Sequence, residues 1–355
     1  MDRETDVALV VGIVSMMIDY FEHVGRTVGI AEVVVAAAYI TAPAIGSAVF
    51  QTWGYHLPFI ILALVQFSLL IFAYLVFTEY ALPEGDIQRH CETCTPVKMH
   101  MFLTPTTRLT LGVTAIAMTS FGFIDPTLGQ HMQTVLGSQH TAVGIGFALS
   151  SLVYFVTSIV FSRWAYPWEC RTVILSGLTM LALGFFLLGP SPLISRYVFF
   201  SGYSMWVCQW VSLICLGCGT AFAVAPSVSL AINSVRGYGK DGLQALVGLF
   251  SSAVYLGQAC GPFIASLLMF LVPGTWSPSC VELFGNDPTA CDTALPWAST
   301  VFGGLVIVSC CICAAFLPND RVHENTIVLQ RDGVIPIDYG QFVFLDDDMD
   351  SEGLG

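Results

Sequence analysis

Eight stretches of this chain are each apolar enough, over 18 or more residues, to cross a bilayer: 28–50, 57–77, 109–129, 142–162, 172–189, 205–232, 244–272 and 297–317. A hydrocarbon core about 30 Å thick requires ~20 mostly apolar residues in helical form. Lipid offers no partner to main-chain polar groups, so such segments satisfy their hydrogen bonds internally as α-helices. The expected fold class is therefore all-α integral membrane, with lipid as the solvent for most of the chain. Composition agrees: 55% of residues are hydrophobic and 10% charged, against roughly 25% charged in a soluble domain. Acidic residues number 25 and basic ones 12, which leaves no basic surface for nucleic acid.

A ninth apolar stretch, 7–18, has 12 residues and would reach only about 18 Å. It follows Asp2, Arg3, Glu4 and Asp6, whereas a signal peptide opens on a basic segment. Lys and Arg gather in cytoplasmic loops. One set of alternate connections holds Arg26, Arg89, Lys98, Arg108, Arg163, Arg171, Arg236, Lys240, Arg321 and Arg331, and the opposite set holds Arg196. This asymmetry predicts a cytoplasmic C-terminus, with 273–296 outside or in a vesicle lumen.

An internal repeat sets the expected organisation. A shift of 219 residues lays 28–50 on 244–272, matching Val28 with Val247, Gly29 with Gly248, Pro43 with Pro262, Ile45 with Ile264 and Ser47 with Ser266. The following helices begin Leu57-Pro58-Phe59 and Leu295-Pro296-Trp297. Both copies run the same way through the membrane, as expected of parallel repeats. Counting by the repeat, 109–317 is a complete six-helix half. Residues 1–77 are the remnant of a preceding half: part of a fourth helix at 7–18, then helices five and six. Roughly the first 3.5 helices are expected to be missing. Residues 78–108 form a cytoplasmic loop between halves, and 318–355 an acidic cytoplasmic tail, with nine acidic residues against Arg321 and Arg331.

Several local sequences resemble the major facilitator superfamily. Glu22 to Glu32 looks like its helix 4–5 junction, and Ala42-Pro43-Ala44-Ile45-Gly46-Ser47 like its helix 5 antiporter motif. Gly261-Pro262 is the counterpart in helix 11, and Phe161-Ser162-Arg163 to Arg171 stands where a second basic loop motif belongs. Gln51 to Phe59 and Phe123-Ile124-Asp125-Pro126-Thr127-Leu128 resemble the vesicular amine and polyamine transporter branch. The resemblance implies a secondary active transporter performing proton-coupled exchange of an organic cation by alternating access. The positions of two aspartates used by monoamine members are here Ala221 and Ser251. That departure implies a polyamine-like or other cation, in a vesicular, endosomal or plasma membrane. The alternative is a truncated, non-transporting membrane protein that associates with or modulates a full-length transporter.

A charge inside a bilayer costs roughly 2.5 kcal/mol or more at mid-helix, so it marks a functional candidate. Asp125 and Glu32 are the acids within the spans, at different depths, and are the proton- or substrate-coupling candidates; Glu32 also fits a packing or gating role. Pro126, next to Asp125, removes a main-chain donor and bends or ends its helix. Pro43 and Pro262 lie mid-helix and are candidate bends. Two polar stripes follow helical spacing: Ser151, Tyr154 and Ser158, and Ser251, Tyr255 and Gln258. Each reads either as cavity lining or as contact between helices.

Cys280 and Cys291 form a candidate disulfide in the outer loop. His90, Cys91, Cys94 and His100 lack the second ligand pair of a zinc site, so no metal is expected. Cys310, Cys311 and Cys313 read as small packing residues or acylation sites. No nucleotide, hydrolase or zinc-protease motif occurs, and the expectation is no enzyme and no cofactor. Tyr339-Gly340-Gln341-Phe342 fits a tyrosine-based pattern read by sorting adaptors. The remaining expected partners are lipid, protons and the small cation.

Overall fold

The computed structural model describes residues 24–79, 104–164, 169–189, 191, 202–235, 239–271 and 294–317. Among these residues the chain is helical, without strands. The helices are α1 (Val24–Trp53), α2 (His56–Glu79), α3 (Pro105–Thr134), α4 (His140–Trp164), α5 (Cys170–Leu188), α6 (Gly202–Val235), α7 (Gly239–Leu271) and α8 (Ala294–Phe316). Seven of them, α2 to α8, are long and apolar enough to cross a membrane. Each expected span lies inside a helix or overruns it by one residue.

The helices mostly extend a few residues beyond the apolar runs, because hydropathy registers the hydrocarbon core and not the helix end. α3 shows the difference best. It begins at Pro105, four residues before the apolar run, where Thr104 caps the first turn by accepting from the Thr107 amide at 3.1 Å. Proline at the first helical position sacrifices a donor that has no intrahelical partner there. At the other end α3 runs on through Pro126 to Thr134. Of the two outcomes expected at Pro126, helix termination does not occur.

The hydrophobic core joins α3, α5 and α8 through three stacked or edge-on rings. Phe123, Phe185 and Phe302 have centroids 4.7–5.3 Å apart and are almost wholly buried. The tightest helix contacts depend on glycine. A Cβ on Gly177 of α5 would stand 2.8 Å from the Gly219 carbonyl of α6, and a Cβ on Gly219 would stand 2.8 Å from the Gly177 carbonyl. Such contacts let two backbones approach without intervening side chains, as apolar solvent gives helices little other drive to associate.

Several hydroxyls inside this core are satisfied by nearby main chain. Thr110, Thr114, Thr119, Ser120 and Thr127 of α3 each donate to a carbonyl three or four residues back, at 2.7–3.1 Å. Ser212 of α6 reaches across to the Gly184 carbonyl of α5 at 2.8 Å. The hydroxyls therefore enter an apolar interior without an unpaired donor.

α1 packs against α4, and α2 has α1 as its main neighbour. The apolar stretch of α2 has no buried residues within the described chain.

Candidate functional site

Six residues of α3 fall at alternating spacings of three and four: Thr114, Met118, Phe121, Asp125, Leu128 and Met132. They form one stripe along the helix. Thr114, Met118, Leu128 and Met132 are buried, Phe121 is half-buried, and Asp125 is exposed. A carboxylate thus opens to space in the middle of a stripe that is otherwise covered. Since α3 continues nine residues past it, Asp125 lies about 13 Å from the helix end.

The stripe faces α4 one turn below the acid. Phe121 meets Tyr154 edge to face, with centroids 6.1 Å apart. On α4, the side that packs on α6 is set by Ser150 and Val153 against Gly217 and by Thr157 against Cys218. Gly144 of the same helix meets α1. Ser151, Tyr154 and Ser158 fall between those two faces, all half-buried. The Ser158 hydroxyl oxygen is buried with no hydrogen-bond partner among the described atoms. The Phe121–Tyr154 contact therefore sets the α4 stripe beside α3 one turn below Asp125.

The α7 stripe is placed differently. Gly257 packs on Ala115 and Met118, and Gly261 on Gly122 and Phe123. Ser251, Tyr255 and Gln258 are half-buried on the shoulder of that contact, where the Gln258 carbonyl abuts Gly122. By this register Tyr255 is level with the part of α3 near Ala115, roughly ten residues or 15 Å below Asp125. Gln258, by contrast, is level with Gly122 and so with the neighbouring Phe121–Tyr154 pair.

Both mid-helix prolines sit at crossings. The Pro43 carbonyl and the Ser47 side chain lie against Gly144, so α1 approaches α4 where α4 has no Cβ. Pro262 follows Gly261 at the α3–α7 crossing. α1 and α7 continue unbroken through these prolines. Glu32 falls within α1, but its side chain is outside the described ones.

Two features went unread in the sequence. Gln51 of α1 accepts hydrogen bonds from the Thr141 amide (3.1 Å) and the Thr141 hydroxyl, and donates to the Gln139 side chain at 2.9 Å. Phe50 meets His140 at 4.6 Å. The only hint was the cluster Gln139-His140-Thr141 opening an apolar run, a helix-start pattern. Second, Arg171 at the start of α5 donates to the Ala314 carbonyl in the last turn of α8. A cation there meets the negative end of the helix dipole and satisfies a carbonyl with no intrahelical partner.

Of the three cysteines near the end of α8, Cys313 is buried, Cys310 donates weakly to the Leu175 carbonyl at 3.8 Å, and Cys311 is exposed. Among the described residues no group of three or more metal-ligand types comes together. Cys280, Cys291, His90 to His100, the 7–18 stretch and Tyr339 to Phe342 lie outside the described residues.

A family model described as Major Facilitator Superfamily matches residues 110–339, which takes in nearly all of α3 and everything to the end of α8. The MFS-type transporter SLC18B1 of Mus musculus is 24% identical over 264 residues, 72% of this chain and 54% of the relative. The proteins of that name from Rattus norvegicus and Homo sapiens are each 23% identical, over 262 and 265 residues. The chain spans about half the length of the curated relatives it matches. With seven apolar helices and a family match over more than half its length, this chain is an integral multi-pass membrane protein and belongs to the Major Facilitator Superfamily.

Proposed function

We infer that this chain carries the substrate-binding half of a secondary transporter that exchanges an organic cation, of polyamine type, for protons. Asp125 is its coupling carboxylate. The observation that carries this reading is the exposure of Asp125 within the buried stripe of α3, one turn from the Phe121–Tyr154 pair. An acid in an apolar span costs roughly 2.5 kcal/mol or more, and an opening to a cavity is what makes it tolerable and useful. An ammonium docks against its carboxylate and the Tyr154 face together; a proton replaces the ammonium when the site empties. The relatives matched above are MFS-type transporters, which supports the transport class.

In this reading the Gly54 side of the bundle faces the outside or a vesicle lumen, by the placement of Lys and Arg. Glu32 serves the opposite end of the path, and Pro43, Pro126 and Pro262 are the bends. Ser151 and Ser158 line the groove with Tyr154, while Ser251, Tyr255 and Gln258 line its lower wall. Cys280 and Cys291 close a disulfide on the outer side.

Proteoliposome uptake of labelled spermine, with and without a proton gradient, tests the proposal. Asp125→Asn should abolish gradient-driven uptake while the protein still inserts and elutes as a single species. Gradient-driven uptake by the wild-type chain that survives Asp125→Asn would overturn the role of Asp125. No uptake by the wild-type chain would instead favour a non-transporting partner of a longer protein.

A further inference from the structure

We propose that Gln51 is the bolt of a polar latch that fastens α1 to the first turn of α4, and that releasing it parts the two helices on the Gly54 side. The inference deepens the transporter reading, in that it names the contact that holds one side of the groove shut.

Contacts between α1 and α4 recur along a short stretch. Pro43 and Ser47 lie against Gly144, Phe50 against His140, and Gln51 against Gln139 and Thr141. Before Pro43, Val34 is 62% exposed and Tyr39 53%, Ala37, Ala38, Thr41 and Ala42 are exposed as well, and Ile40 is half-buried. Among the described side chains these contacts run from Pro43 to Gln51, and Gln51 is the last of them.

One side chain does three things at this point. Its carbonyl oxygen takes the Thr141 amide and the Thr141 hydroxyl, and its amide nitrogen donates to Gln139. The Thr141 amide belongs to the first turn of α4, where no intrahelical acceptor exists. Gln51 is therefore a capping group supplied by a different helix, so the local stability of the α4 start depends on where α1 is. A second contact braces the same turn from α3, where Gln133 and His140 Nδ1 are 2.9 Å apart.

Strength and position suit a reversible fastening. All of these hydrogen bonds are exposed, so each competes with water and its net contribution is small. Three such bonds from one residue are enough to bias a two-position equilibrium without locking it. The side chain also has little substitute: Asn is one methylene shorter, and Leu keeps the bulk but neither accepts nor donates.

Hydrogen–deuterium exchange of the purified chain in detergent or nanodiscs tests the latch without any substrate. Gln51→Leu should speed exchange in peptides covering 139–144 by roughly tenfold, a shift of about 1.4 kcal/mol in the opening equilibrium. Thr52→Val is the control, because Thr52 bonds only within α1, to the Ala48 and Val49 carbonyls; its exchange in 139–144 should match wild type. Wild-type exchange in folded Gln51→Leu would overturn the proposal. If Gln51→Leu does not fold, Gln51→Cys with Thr141→Cys decides: oxidation should join the two new thiols, identified by peptide mapping, and failure to join them refutes the contact. Altered exchange in a protein that shows no spermine uptake would leave the latch standing and remove the transport reading alone.

Discussion

Gly122 of α3 lies directly against the main-chain carbonyl of Gln258 of α7, with no side chain between the two backbones. The contact is one turn below Asp125 and one turn from the Gly261–Pro262 pair, so the position of the candidate carboxylate depends on how closely these helices approach.

Gly122→Ala should therefore destabilise the protein by about 1–3 kcal/mol, because the added methyl meets main chain, which cannot rotate away as a side chain could. Gly112→Ala in the same helix has open space around its new methyl and should match wild type or exceed it slightly, given alanine's better helix propensity. Thermal unfolding in detergent compares the two. Equal melting temperatures would mean that the α3–α7 crossing is looser than described.

The bond from Arg171 to the Ala314 carbonyl ties the start of α5 to the end of α8. Arg171→Ala should cost about 1.5–3 kcal/mol, the range for a hydrogen bond to a charged group. Arg171→Lys should recover part of this through its charge at the helix end. Melting curves for the three proteins at low and high salt check the order, and a salt-independent loss would indicate packing by the arginine stem instead.

Phe123 belongs to the buried ring cluster with Phe185 and Phe302, and it is next but one to Asp125. Phe123→Ala should destabilise by about 3–5 kcal/mol, and Phe123→Leu by less because it leaves a smaller cavity. The two variants separate general damage to the core from any effect on the acid beside it, when uptake is normalised to folded protein.

Tyr154 holds its ring against Phe121. Tyr154→Phe keeps that contact, and Tyr154→Ala removes it, worth about 0.5–1.5 kcal/mol. If the ring lines the cation path, half-saturation for spermine should rise roughly 2- to 10-fold in Tyr154→Ala and change little in Tyr154→Phe. An equal rise in Tyr154→Phe would assign the role to the hydroxyl and not to the ring.

Much of the helical plan was legible in the residues. Eight apolar runs marked eight helices, and Thr104-Pro105 carried a start signal that an apolar window alone does not register. The acid at Asp125 stood out because charge is scarce in these spans. Pro126 reads as a possible terminus, whereas α3 continues past it to Thr134. The partners of Gln51 and Arg171 could not be read, being 90 and 143 positions away.

The sequence by itself determined that the chain crosses a membrane, where its helices run, and which few polar groups would be costly in a span. Those are local properties: each run is apolar or it is not, and each charge is inside a run or outside it. Only the tertiary structure decided which face of each helix meets protein and which meets lipid. Lipid tails are as apolar as leucine, so a packed face and a lipid face look alike in hydropathy, and periodicity carries little news of neighbours. That choice was made instead by the backbone approaches at Gly122, Gly144, Gly177 and Gly219. They bring helices together where a Cβ would keep them apart, and in doing so leave Asp125 open on a covered stripe.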